Sequence, residues 1–317
     1  MAESPRHIKP ASVVRRTYGK ASALIIIYLF TATVISYSAW ALDGLLWNIS
    51  GIAMDVQLYG ILASILPTVC GAAAAILVAR KLSGFQVKEI LIPPHLRPGI
   101  ILLGFGLCMG LNLAASYLTG LLTQWLNQGG ASATPPDFSY SSERPLLSGF
   151  LIFYACLIAP ILEEIIFRGY ILRLLQRFGN GFAILLSAIL FGIYHFDLTQ
   201  LLPAFAMGCL FGYLAISCDS IFPVIVIHTL NNIVAVCSSS LSSPIVLVID
   251  IALCVFSFLS LVIAIFLKHR DHQKPRIADA DRQLTRWKAL GTAATSPIWI
   301  LLLLVYFYQV IIQINPF

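Results

Sequence analysis

The chain has 317 residues, of which 59% are hydrophobic and only 11% charged, where a soluble domain carries roughly 25% charged residues. A soluble fold this apolar would need a larger interior than its length can enclose, and a disordered chain would need far more charge, so both classes are excluded. The net charge of +6 comes from clusters between apolar runs, which is a topology signal and not a nucleic-acid-binding stripe.

Runs long enough to cross a hydrocarbon core, about 20 residues each, are predicted in chain order at Ala21–Leu42, Leu58–Ala79, Ile100–Trp125, Leu147–Ile166, Phe182–His195, Leu201–Ser217, Ile221–Cys237, Pro244–Leu267 and Pro297–Ile314. The fifth and sixth are short, so eight or nine spans are expected, in an all-α polytopic transmembrane helical bundle. Ala39-Trp40-Ala41 has the small-x-small look of a signal-peptidase site. The apolar stretch before it exceeds the usual 7–15 residues of a signal-peptide core, however, and a retained first span is expected.

The twenty basic residues fall in five groups: 1–20, Arg80–Arg97, Arg144, Arg168–Arg177 and Lys268–Lys288. Alternate connections are therefore basic. The positive-inside rule puts the N-terminus in the cytoplasm and, with nine spans, the C-terminus outside. On this scheme 1–20 is a basic cytoplasmic tail and 21–126 holds the N-terminal spans. Asn127–Pro145, rich in Ser, Pro and Gly, reads as an extracytoplasmic loop. Residues 244–317 hold the last spans and a basic cytoplasmic loop, His269–Lys288. The seven cysteines are scattered without a CxxC pair and read as small buried hydrophobes. No internal repeat or separate soluble domain is evident.

Ionisable residues inside apolar runs carry the functional signal. At mid-bilayer such a group costs about 2.5–3.5 kcal/mol or more, and it usually faces a polar cavity or a partner. Glu163, Glu164 and Asp250 lie within spans, Asp197 and Asp219 at span ends, and His195 and His228 within or at the end of spans. Glu163-Glu164-Ile-Ile-Phe-Arg168 carries adjacent carboxylates, which are about 100° apart around a helix. Glu164 and Arg168 are i and i+4 and are expected to form an ion pair. Glu163 is rotated away from that pair and left available as a general base. In Phe191-Gly-Ile-Tyr-His195 and His228-Thr-Leu-Asn231-Asn232 the first and last residues again share a helical face. Asn232 is therefore expected to point with His228 into one small volume, and Asn231 to hydrogen-bond between helices.

Depth follows from helix rise. Glu164 and His195 lie 16 and 15 residues from the turn near Asn180, so both sit roughly 22–24 Å from it in antiparallel helices. His228 lies about eight residues from the turn near Ser220, or roughly 12 Å, which is shallower. Extension of the fourth helix beyond the bilayer through Arg173 and Arg177 would reduce that mismatch.

Glu-Glu-x-x-x-Arg (Glu163, Glu164, Arg168), Phe-x-x-x-His (Phe191, His195) and His-x-x-x-Asn (His228, Asn232) resemble, in order, the three motifs of the CPBP family. These are the type II CAAX prenyl endopeptidases and bacteriocin-processing or immunity proteins, also called Abi. The resemblance covers 147–237, a CAAX-protease-like helical core, and no motif position departs from the pattern. It implies an intramembrane glutamate protease in which Glu163 and His195 activate a water while His228 and Asn232 stabilise the oxyanion. Glu164, Arg168 and Phe191 would support them. The physical logic agrees: a carboxylate shielded from water is a better proton acceptor, and preplaced donors stabilise a developing oxyanion by a few kcal/mol.

No His-Glu-x-x-His helix, Gly-x-Gly-Asp motif or Gly-x-Ser-x-Gly elbow occurs. A metal-free site without a cofactor is expected, with zinc at Glu163, His195 and His228 as the alternative. The expected partners are membrane lipids and a peptide or membrane-protein substrate, with no nucleic acid, and the expected location is a bacterial cytoplasmic (inner) membrane. The competing functional class is a non-catalytic partner, immunity protein or proton-coupled transporter built on the same polar cluster. A relay would string its acids and histidines across the bilayer, whereas Glu163 and His195 come out level.

Overall fold

The computed structural model describes residues 10–84, 86, 88–91, 98–130, 133, 140–270 and 286–314. Its helices, in chain order, are α1 (Pro10–Ser50), α2 (Val56–Ser83), α3 (Pro98–Gln128), α4 (Pro145–Gln176), α5 (Asn180–Tyr194), α6 (Leu198–Ser217), α7 (Phe222–Ser239), α8 (Ser243–Arg270), α9 (Arg286–Ala294) and α10 (Pro297–Ile314), with a single turn of helix at Lys88–Leu91 between α2 and α3. There is no strand among the described residues. Helices satisfy their own backbone donors and acceptors, which lipid cannot do, so runs this apolar have little alternative. The chain is an all-α polytopic membrane protein, and among the described residues eight helices are long and apolar enough to span.

Punctuation is local. Pro98, Pro145 and Pro297 open their helices, where a missing N–H costs nothing. Asp55 Oδ1 accepts from the Gln57 and Leu58 amides at 3.0 Å and caps α2. Gly84 closes α2 at φ 73°, its N–H bonded to the Arg80 carbonyl, a left-handed cap that glycine adopts without strain.

Three details differ from the sequence reading. α1 runs 41 residues, about 60 Å by helix rise, so the basic segment expected to be a tail is helical from Pro10 onward. Apolar side chains draw it in: Val14 and Tyr18 are buried, and Tyr18 packs on Trp299 with ring centroids 5.3 Å apart. Ala39-Trp40-Ala41 lies inside the same helix. The expected fifth span is a 15-residue helix, about 22 Å long, short of a typical hydrocarbon core. His269 falls in the last turn of α8 and not in a loop. Residues 1–9, His95, residues 131, 132 and 134–139 of the loop expected at Asn127–Pro145 and residues 271–285 of the expected basic loop, with His272, lie outside the described residues.

α1 packs on α2 and α10, α5 on α6, and α3 on α6, α7 and α8. The interior centres on Phe167, Phe191 and Phe211, all fully buried. α8 lies at the periphery, with Val248, Phe258 and Phe266 exposed toward lipid. It meets α3 where Gly106 faces Ser260 and Gly110 faces Ser257, small residues that let two backbones approach closely.

Candidate functional site

α4 is interrupted twice by π-helical turns, at Tyr154–Ile158 and Ile165–Leu172, which flank the short α-helical piece Ala159–Glu164. Such bulges re-aim side chains and release carbonyls from the helical ladder, and they recur at functional sites. Here they bracket the paired carboxylates. The Ala155 carbonyl, inside the first bulge, accepts from Asn232 Nδ2 at 2.8 Å.

Arg168 Nη1 donates to Glu164 Oε1 at 2.8 Å, with both side chains fully buried, so the expected ion pair is present. A second Arg168 nitrogen reaches the Gly208 carbonyl at 3.3 Å. The guanidinium stacks 4.3 Å from the Phe191 ring and 5.2 Å from Phe211, where cation–π attraction offsets part of its desolvation. Close approach of α6 to α5 permits this: a Cβ at Gly208 would meet Ala188 at 3.0 Å.

Glu164 has a second role that spacing alone did not disclose. Its Oε1 also lies 2.9 Å from His228 Nδ1. A carboxylate can only accept, so the Nδ1 proton points at Glu164 and the ring presents Nε2 elsewhere. Nε2 stands 3.9 Å from Glu163 Oε2. The two adjacent carboxylates therefore reach one imidazole from its two nitrogens, while Glu163 stays out of contact with Arg168, as expected from its rotation about the helix.

His195 ends α5. Its Nδ1 lies 2.9 Å from the Phe191 carbonyl, which again fixes the proton on Nδ1 and leaves Nε2 as acceptor. Phe191 meets both histidine rings edge-on, with centroids 5.1 Å from His195 and 5.9 Å from His228. The turn after His195 is anchored by Asp197. Its Oδ1 accepts from the Thr199 amide at 2.6 Å and its Oδ2 from Gln313 Nε2 at 3.0 Å.

Asn232 Oδ1 accepts from Asn231 Nδ2 at 3.1 Å, and Asn231 Oδ1 accepts from Asn112 Nδ2 at 2.9 Å. Asn231 thus bonds between α7 and α3, and Asn232 is fixed from both ends of its amide. Because Nδ2 carries two hydrogens, Asn232 retains one to donate beyond Ala155.

The depth mismatch disappears through one contact. Arg173 donates to Asp219 at 2.6 Å, so the turn before α7 sits level with Arg173, short of the end of α4. Ser220 in that turn is fully buried. His228 is thereby raised to the level of Glu163 and Glu164.

Glu163, Phe191, His195, His228 and Asn232 all line one cavity of about 700 Å³. Sequence reasoning missed Tyr28, Thr68, Tyr154 and Tyr194, which line it too, and Asn112. Asn112 was visible as a carboxamide in an apolar run. The tyrosines were not, because that residue suits cores, lipid interfaces and sites equally. Asp250 is half-buried on α8 and does not line the cavity. Among the described residues no group of three or more His, Cys, Asp and Glu is arranged to hold a metal ion.

Residues 145–234 match the family described as type II CAAX prenyl endopeptidase, Rce1-like. The protein named "Putative membrane peptidase YdiL" of Bacillus subtilis is 41% identical over 83 residues, 26% of this chain and 34% of that protein. The aligned part thus spans about a third of that relative's length. No solved structure matches the chain. The matched segment holds α4 through most of α7 and every motif position that converges on the cavity. Over residues 145–234, and not beyond them, the chain is similar to the Rce1-like, type II CAAX prenyl endopeptidase family.

Proposed function

We propose that the protein is an intramembrane endopeptidase that hydrolyses a peptide bond with a water activated by Glu163 and His195. The observation that supports it best is the convergence of Glu163, His195, His228 and Asn232, from three helices, on one cavity. A proton relay would spread such groups along the membrane normal.

In the proposed reaction the cavity water lies between the Glu163 carboxylate and His195 Nε2. One of them takes a proton as the water oxygen attacks the peptide carbonyl. The carbonyl π pair moves onto oxygen, and that oxyanion accepts from the second Nδ2 hydrogen of Asn232 and from a protonated His228 Nε2. Glu164 stabilises the imidazolium through Nδ1. Collapse of the tetrahedral intermediate breaks the C–N bond, and the leaving amine takes up the proton removed from water. The products are one new carboxylic acid and one new amine, and proton transfer from the first to the second leaves a carboxylate and an ammonium. No step requires a metal.

Glu163→Ala and Glu163→Gln membranes, matched for protein level, test this by comparison of their membrane proteins and new N-termini with the parent. At least one protein is expected to accumulate uncleaved in both variants. Identical termini in all three strains would overturn the proposal.

A further inference from the structure

The cavity extends well beyond the carboxylates and histidines, along a helix outside the family-matched segment. Asn112, Ser116, Thr119 and Thr123 on α3 are spaced four, three and four residues apart, which is one helical face, and all four line it. Thr199 and Gln200 in the first turn of α6 and Ser239 at the end of α7 line it as well. Thr119 is 6% exposed, and its hydroxyl has no hydrogen-bonding partner in the protein. A buried hydroxyl left unpaired costs free energy, and this one lies just behind the lining of the cavity.

The passage has a direction. Thr123, Thr199, Gln200 and Ser239 belong to the end of the bundle where α3, α5 and α7 finish and α6 begins. The opposite end carries Arg80, Lys81, Lys88, Arg173 and Arg177, while the described charges near the mouth are Asp43, Asp55, Glu143, Arg144 and Asp197. Basic ends lie in the cytoplasm, which puts the mouth on the extracytoplasmic side. Apart from Glu163 and the two histidines, no ionisable group but tyrosine among the described residues lines the cavity. Hydroxyls and carboxamides both donate and accept, so they match the amide groups of an extended peptide without selecting for charge.

We propose that the face formed by Asn112, Ser116, Thr119 and Thr123, with Thr199, Gln200 and Ser239, is a substrate channel that admits an uncharged polypeptide segment to Glu163 from the extracytoplasmic side. This rests on the peptidase reading and adds the substrate class: an exported or membrane-anchored polypeptide whose cleavage point faces outward, not a cytoplasmically presented C-terminus.

The test uses the full chain with its seven native cysteines replaced by alanine and single cysteines restored, each variant checked for membrane level. A membrane-impermeant maleimide applied to intact cells is expected to label Thr123→Cys and Ser239→Cys, and to label Lys81→Cys only after permeabilisation. A small impermeant methanethiosulfonate should also reach Thr119→Cys in intact cells. Labelling of Lys81→Cys in intact cells, or protection of Thr119→Cys while Thr123→Cys reacts, would overturn the channel. Once a substrate is in hand, Thr119→Trp should raise KM about tenfold with a smaller effect on kcat, whereas Glu163→Gln abolishes kcat. If Glu163→Gln changes no protein termini, the peptidase reading fails while the labelling still reports the passage. If it stabilises a substrate cut on the cytoplasmic side, the channel fails alone.

Discussion

Nδ1 of His228 and Nη1 of Arg168 converge on the same oxygen, Oε1 of Glu164, at 2.9 and 2.8 Å. The carboxylate that spacing assigned to an ion pair thus also sets the orientation and proton position of a histidine that faces Glu163. Removing one partner of a buried pair strands the other charge, at a cost of about 3–5 kcal/mol. Glu164→Ala and Arg168→Ala are accordingly expected to lose most of the protein from membranes, or to lower the thermal midpoint in detergent sharply. Glu164→Gln with Arg168→Met removes both charges and should recover much of that stability. It should not recover processing, since an amide oxygen can still accept from His228 Nδ1 but carries no charge to stabilise the imidazolium. Recovery of both would mean that Glu164 serves packing alone.

Phe191 connects the same groups from another side, with the Arg168 guanidinium 4.3 Å from its ring and both histidine rings at its edge. Aromatic and cation–π contacts of this kind contribute about 0.5–2 kcal/mol each. Phe191→Leu is expected to fold and accumulate, with a modestly lower thermal midpoint, and to process substrate at least about tenfold more slowly because both rings lose a wall. Thermal scans and the extent of processing, measured on one preparation, separate the two effects. Unchanged processing would limit Phe191 to the core.

The membrane class and most helices were legible because lipid leaves the backbone so few choices. The i and i+4 spacings correctly paired Glu164 with Arg168 and put His228 and Asn232 on one cavity. Two things were not legible. Helix rise alone set His228 too shallow, because rise counts residues from a turn and says nothing of how deep the turn sits. Arg173 and Asp219, 46 residues apart, decide that. Nor does spacing reveal π-bulges, which add a residue to a turn and shift the face of everything beyond them; here the Ala155 carbonyl, inside one, accepts from Asn232. The roles of Asn112 and Tyr28 depend on α3 and α1 folding against the matched core, a tertiary fact with no local pattern.

α8 approaches α3 closely, with Phe105 and Phe256 packed beside the small residues, ring centroids 6.1 Å apart. A Cβ on Gly110 would fall on the Ser257 hydroxyl, and one on Gly106 on that of Ser260. Gly110→Val is therefore expected to push α8 away and lower the thermal midpoint, while Gly44→Val, with nothing within 4 Å of its Cβ position, should be close to neutral. Cysteine pairs across the α3–α8 interface, cross-linked in membranes, give a second readout. Equal cross-linking in both variants would contradict the close-packing account.

Asp197 provides the last prediction. It is 6% exposed, two residues after His195, and it follows Phe196, whose φ of 49° lies in a region that side-chain-bearing residues seldom adopt. One carboxylate oxygen caps α6 through the Thr199 and Gln200 amides, and the other holds Gln313 of α10. Loss of an N-cap costs about 0.5–2 kcal/mol, and loss of the tether lets the turn relax and carries His195 with it. Asp197→Ala should therefore lower both the thermal midpoint and processing. Asp197→Asn retains an oxygen for the cap and an amide for Gln313, whose own amide can turn to accept, so it should restore most of both. If alanine impaired stability but left processing intact, the position of His195 would not depend on this turn, and α5 packing against α6, where Gly192 approaches the Leu201 carbonyl, would be what holds the ring in place.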